Sequence, residues 1–187
     1  MIVGITGSFG TGKSAASGIL RKRGFTVIDV DALYHTIYRN NKALQEKIVD
    51  EFGTLDRNII KKKVFNDKIK LKKLNAMTHP IIFKHLKKEI QKKIKKAKNK
   101  VIFVDIPLLF ESKREKMFDK IVVVACSEIQ QIARLLKKGK YSRKEIHQII
   151  ASQMPLFEKM RKADIIVGNS GSKKQLQQAV RKMLRIL

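Results

Sequence analysis

The 187-residue sequence predicts an α/β domain in three layers, a five-stranded parallel sheet with helices on both faces. Three observations predict it. Short runs that are apolar throughout, rather than alternating, recur along the chain and read as strands buried on both faces. Between them lie stretches with apolar residues at the three- and four-residue spacing of a helix. The first apolar run passes directly into a glycine-rich loop and then into a helical pattern.

Each element follows in order. "MIVGI" reads as a buried strand and "GKSAASGILRKRG" as a helix closed by Gly24. "FTVIDVD" reads as a second strand ending in acids. Helical patterns run from Ala32 to about Phe52 and from Asn58 to about Met77. His79–Pro80 is expected to break that run ahead of a lysine-rich helix, because proline lacks an N–H and restricts the residue before it. "KVIFVDIP", "KIVVVAC" and "ADIIVGN" read as strands three, four and five, and a last helix runs from Lys173 to Ile186. The helical stretch between strands two and three is too long for a simple crossover. It is expected to form a substrate lobe within one domain.

Composition bounds the function. Hydrophobic residues make up 43% and charged residues 31%, a globular rather than disordered balance. No apolar run approaches the roughly 20 residues of a membrane span. The opening apolar stretch lacks a basic leader, so a signal peptide is not expected. Cys126 is the only cysteine, which excludes an intramolecular disulfide and suits a reducing, cytoplasmic setting. Lysine and arginine number 42 against 16 acids, a net charge of +26. Its densest block, Lys84 to Lys100, shares a helix with Ile82, Leu86, Ile90 and Ile94 at four-residue spacing. The lysines therefore read as a solvent face. No aromatics are interleaved for base stacking, so nucleic acid is not expected as a partner.

The strongest signal is "GSFGTGKS". Gly7, Gly12, Lys13 and Ser14 fit G-x-x-x-x-G-K-[ST] between a predicted strand and a predicted helix. Glycines let successive N–H groups turn inward as an anion cradle, and the helix N-terminus adds its dipole. Lys13 would reach the β- and γ-phosphates of ATP, and the Ser14 hydroxyl would ligate Mg²⁺. Strand ends supply acids where ligands of open α/β sheets gather. Asp29 and Asp31 share one side if strand two persists that far. Asp105, closing strand three, reads as a Walker-B-like carboxylate holding Mg²⁺ or its water. A kinase acting on an alcohol needs a carboxylate beside the hydroxyl, and Asp31 fits, although a helix-capping acid has the same signature.

"GITGSFGTGKS", "VIDVDALYH", "LDRNIIKKKVF", "THPII", "VDIPLLFE", "QQIAR", "SQMPLFEKMRKAD" and "GNSGS" occur in that order. Together they resemble the dephospho-CoA kinase family of P-loop kinases, over essentially the whole chain. The resemblance implies transfer of the ATP γ-phosphate to the ribose 3′-hydroxyl of dephospho-CoA. It implies Asp31 as catalytic base, and Gly10, Thr11, Gly12, Lys13, Ser14 and Ala15 as the ATP loop. Asn169 falls where the family places its adenine-side loop. Thr6, Asp31, Arg57, His79 and Asp105 form the implied substrate side. Residues of about 31–98 would be the CoA-binding lobe and about 134–153 a lid over ATP. Arg134, Lys138 and Arg143 of that lid would neutralise the transferring phosphoryl. Two positions depart from the pattern: Ala15 replaces a usual threonine, and Lys138 stands where the family usually has arginine. The alternatives are another small-molecule kinase on this fold, a nucleic-acid-binding P-loop ATPase, or a nucleotide-binding scaffold without catalysis.

Overall fold

A computed structural model describes residues 1–65, 67–97 and 100–187. No helix among them is long and apolar enough to cross a membrane. The chain forms two compact units, residues 1–29 with 92–187, and residues 30–91 between them.

The first unit is built on a sheet of β1 (Ile2–Thr6), β2 (Thr26–Asp29), β3 (Ile102–Asp105), β4 (Lys120–Ala125) and β5 (Ile165–Gly168). Its strand order is β2-β3-β1-β4-β5, and every pairing is parallel. The five strands expected from apolar runs are all present. β1 is central, with Ile5 opposite Asp105 on one side and Val122 on the other. From β1 the chain moves to β2 on one side and later crosses to β4 on the other. The crevice at the carboxyl end of β1 is thus the point where strand order reverses, the usual ligand position in such sheets.

Helices α1 (Lys13–Lys22) and α9 (Lys173–Ile186) cover one face. Leu20 of α1 and Leu176, Val180 and Met183 of α9 pack with Val3, Phe103, Val124 and Val167 of the strands. Each such side chain contributes roughly 1.5–3 kcal/mol on burial. Leu109 and Phe118 lie over Gly4 on the other side of β1. α6 (Glu128–Lys137), α7 (Arg143–Ala151) and α8 (Leu156–Arg161) follow β4. Ser142 with Glu145 and Ser172 with Gln175 form capping boxes that start α7 and α9.

The second unit is helical: α2 (Val30–Asn40), α3 (Lys42–Phe52), α4 (Arg57–Phe65) and most of α5 (Lys68–Ile94). The single pattern expected from Ala32 to Phe52 is two helices. Asn41 divides it, accepting a hydrogen bond from Leu44 N at 3.0 Å as the cap of α3. The break expected at His79–Pro80 does not occur, since α5 runs through Pro80. A proline inside a helix costs about 3 kcal/mol. Burial of Ile82, Phe83, Leu86 and Ile90 on that helix exceeds it several-fold. The helix start lies earlier, where Asp67 accepts from Ile69 N and Lys70 N, each at 3.0 Å. Residue 98, the expected end of the lobe, lies outside the described residues.

Asp164 joins β5 to the start of β4. It accepts from Ile121 N at 2.8 Å and Lys120 Nζ at 3.0 Å. The Ile121 N–H, seconded by Lys120, holds its carboxyl below the ordinary 3.8. A depressed carboxyl stabilises the fold above its unfolded value and stops doing so as pH falls through the folded one. Asp164→Ala is expected to cost about 1–2 kcal/mol at neutral pH, the scale of an orphaned strand N–H. Urea titrations at several pH values check this: the difference from the unaltered protein should shrink on acidification below 3.8.

Candidate active site

β1 ends at Thr6 and α1 begins at Lys13, and the loop between them carries the phosphate-binding motif. Gly10 and Gly12 both have φ of 86°, a conformation that costs any residue with a Cβ about 1–2 kcal/mol. Thr11 closes a tight turn, its N–H and hydroxyl both donating to Ser8 O at 3.2 and 2.9 Å. Among the described residues no protein acceptor takes the N–H of Gly10, Gly12 or Ser14. Inward N–H groups at a helix start are the kind of arrangement that can receive an anion.

Distant segments hold the loop in place. Asn169, just past β5, donates from Nδ2 to Thr11 O at 2.7 Å. A Cβ on Gly12 would collide with that same Nδ2. Arg134 of α6 donates from Nη2 to Asn169 O at 2.7 Å. Its Nη1 is buried without an acceptor among the described residues and lies 3.7 Å from where a Gly12 Cβ would stand. An unpaired buried guanidinium nitrogen beside the cradle fits a phosphate oxygen as its partner.

The charge pairing beneath the loop is equally defined. Lys13 Nζ contacts Asp105 Oδ1, and Ser17 Oγ donates to Asp105 Oδ2 at 2.7 Å. Asp105 is only 3% exposed and commits both oxygens to these partners. The Ser14 hydroxyl, by contrast, is exposed on the first turn of α1.

Several expected site residues are placed differently. β2 stops at Asp29 and α2 starts at Val30, so Asp29 and Asp31 do not share a strand face. Asp31 lies exposed in the first turn of α2, while Asp29 lies opposite Asp105 and 3.7 Å from Arg21 Nη2. Thr6 is fully buried, and its hydroxyl donates to Pro107 O at 3.0 Å, so it ties β1 to the loop after β3. The Ala15 N–H is taken by Gly12 O at 2.9 Å. Lys138 caps the end of α6 and Arg143 opens α7; both are exposed, and no hydrogen bond or ion pair among the described residues joins them to the loop.

In the helical unit, Arg57 Nη1 lies 2.6 Å from His35 Nδ1, and its guanidinium sits 5.8 Å from the Tyr34 ring centre. Tyr34, Tyr38, Arg57, Asn58, Lys61 and Leu74 line a cavity of about 670 Å³. Burial above all holds both tyrosine hydroxyls above their ordinary value, so they are neutral hydrogen-bonding groups at physiological pH. His79 is not part of that lining. It sits inside α5, edge-on to Phe83 at 5.7 Å.

The family model for dephospho-CoA kinase matches residues 1–175. The chain belongs to the dephospho-CoA kinase family. The dephospho-CoA kinase of Carboxydothermus hydrogenoformans is 38% identical over 179 residues, covering 91% of this chain and 86% of that one. Among solved structures, a Thermus thermophilus protein is 32% identical with a TM-score of 0.85, covering 100% of this chain and 97% of the other. The dephospho-CoA kinase from Campylobacter jejuni is 30% identical with a TM-score of 0.71, covering 98% and 95%.

For a dephospho-CoA kinase family member, the structure adds residues that pattern reading passed over. Ser17 secures Asp105, and Gln153 accepts the N–H of Phe9 at 3.0 Å. Glu111 and Lys159 form an ion pair of 2.7 Å. Glu111, Gln153 and Lys159 stand inside "VDIPLLFE" and "SQMPLFEKMRKAD", but a motif does not reveal which distant group each one meets.

Gly12→Ala tests the cradle. It imposes an unfavourable φ and drives a methyl into Asn169, with an expected cost of about 2–3 kcal/mol from backbone strain and a lost hydrogen bond. Thermal unfolding and ATP titration by calorimetry should both register it, with ATP binding at least tenfold weaker.

Proposed function

We propose that this chain transfers the γ-phosphate of ATP to the ribose 3′-hydroxyl of dephospho-CoA, giving CoA and ADP, the last step of coenzyme A synthesis in the cytoplasm. The observation that carries the reading is the loop itself. Its amides and an unpaired Arg134 nitrogen converge around Gly12, with Lys13 and Asp105 beneath, in a chain of this family.

Each residue has a part. The amides of Gly10, Gly12 and Ser14 and the Arg134 guanidinium hold the phosphates, and Lys13 exchanges Asp105 for the β- and γ-oxygens as charge develops there. Asn169 keeps the loop in shape and flanks the adenine side. Ser14 and Asp105 suit Mg²⁺, which takes few protein ligands and completes its shell with phosphate oxygens and water. Bound there, Mg²⁺ would neutralise charge on the transferring phosphoryl. Once Lys13 turns to the phosphates, Asp105 would orient the metal or its water through Oδ1 while Ser17 still holds Oδ2.

Asp31 acts as the base at the acceptor hydroxyl. The helical unit serves as the CoA-binding lobe, with Arg57 and Lys61 meeting phosphates and Tyr34 and Tyr38 supplying apolar, hydrogen-bonding walls. Residues 134–153 serve as the lid, in which Lys138 and Arg143 are cations held in reserve for closure.

Lys13→Ala removes the cation at the leaving phosphates. Its kcat should fall about a hundredfold or more, the scale of a lost preorganised electrostatic contact, and near-normal turnover would mean the loop has been misread. ADP release across a panel of acceptor alcohols, dephospho-CoA included, separates this activity from that of other small-molecule kinases.

Asp31→Asn preserves shape but not basicity. Turnover with dephospho-CoA should drop by roughly a hundredfold to ten-thousandfold while ATP binding changes little. Asp29→Asn is the control, with a milder loss expected. Retention of most turnover in Asp31→Asn alongside its abolition in Asp29→Asn would sink the assignment.

A further inference from the structure

The sheet unit contains a chain of contacts that ends on the phosphate loop but touches none of its motif side chains. It starts at Glu111, in the loop after β3. Glu111 Oε1 accepts from Met154 N at 3.0 Å and lies 2.7 Å from Lys159 Nζ. Lys159 is fully buried on α8. A buried ammonium is tolerated only when paired, so this contact pins α8 and the segment before it to the loop after β3. The residue before Met154 is Gln153, whose Oε1 accepts the N–H of Phe9 at 3.0 Å. The Phe9 ring lies edge-on to Tyr141, 5.4 Å away, in the turn between α6 and α7. Gly10 follows at once, in its left-handed conformation.

Held this way, the loop is clamped at residue 9 by Gln153 and at residue 11 by Asn169, on either side of the first left-handed glycine. Glycines that are free in solution must be ordered when a ligand binds, and a loop ordered beforehand avoids that cost. We propose that Gln153 is a positioning residue for the phosphate loop, and that the Glu111–Lys159 pair keeps it in register. The proposal rests on the ATP reading of the loop. Its signature is a selective effect on ATP.

The test uses the full chain, with steady-state kinetics in ATP and in dephospho-CoA, ATP calorimetry and thermal unfolding. Gln153→Ala should raise KM and Kd for ATP by about three- to tenfold, the fold-change of one hydrogen bond. Its kcat and its KM for dephospho-CoA should stay within about twofold. Glu111→Gln keeps an acceptor for Met154 N but leaves Lys159 uncompensated, so it should lower the melting temperature and raise the ATP KM. Adding Lys159→Met removes the stranded charge and should return the ATP KM to within about twofold of the unaltered enzyme. A purely structural role would reduce the active fraction, lowering kcat at constant KM, and that result overturns the proposal. So does an unchanged ATP Kd in Gln153→Ala when the unaltered chain binds ATP normally. If the unaltered chain binds no ATP, the ATP reading falls and this proposal with it.

Discussion

A loop that reserves its N–H groups for an anion cannot use them to hold itself together. Several long-range contacts of this structure answer that constraint. Between Gly7 and Ser14 the loop is anchored internally by the Thr11 turn onto Ser8 and the first bonds of α1. Everything else is supplied from outside: Asn169 from the end of β5, Arg134 from α6, and Gln153 from the segment after α7. These residues are far apart in sequence. The sheet brings them together, because β1 and β4 are neighbours, β4 pairs with β5, and α6 follows β4.

The electrostatics follow the same logic one layer down. Asp105 is nearly inaccessible, and an isolated buried carboxylate would cost several kcal/mol. Lys13 and the Ser17 hydroxyl offset that cost. The pair is also the means by which Lys13 is aimed, since a four-carbon stem otherwise samples many rotamers. A phosphate competes with Asp105 for the ammonium and carries more charge than one carboxylate. The net charge of +26 favours capture of such polyanions in general.

The helical unit solves a different problem. Its cavity has walls of both kinds, the rings of Tyr34 and Tyr38 beside the cations of Arg57 and Lys61. Its walls depend on caps at Asn41, Asp56 and Asp67, each of which accepts a hydrogen bond from a backbone N–H just after it. α5 tolerates Pro80 because its buried face outweighs one missing backbone bond.

The amino-acid sequence by itself determined the strands, the phosphate loop and the family motifs, because each is written in neighbouring residues. An apolar run, a glycine spacing and an acid at a strand end need no knowledge of the rest of the chain. The tertiary structure decided the rest. It ended β2 at Asp29 and moved Asp31 onto a helix, continued α5 through Pro80, and engaged the Thr6 hydroxyl with Pro107. It also selected Gln153, Glu111, Lys159 and Ser17 from among many polar residues of the same types. Local pattern states what a residue prefers; whether it gets it depends on what burial elsewhere offers, and on partners as distant as the 158 positions between Thr11 and Asn169.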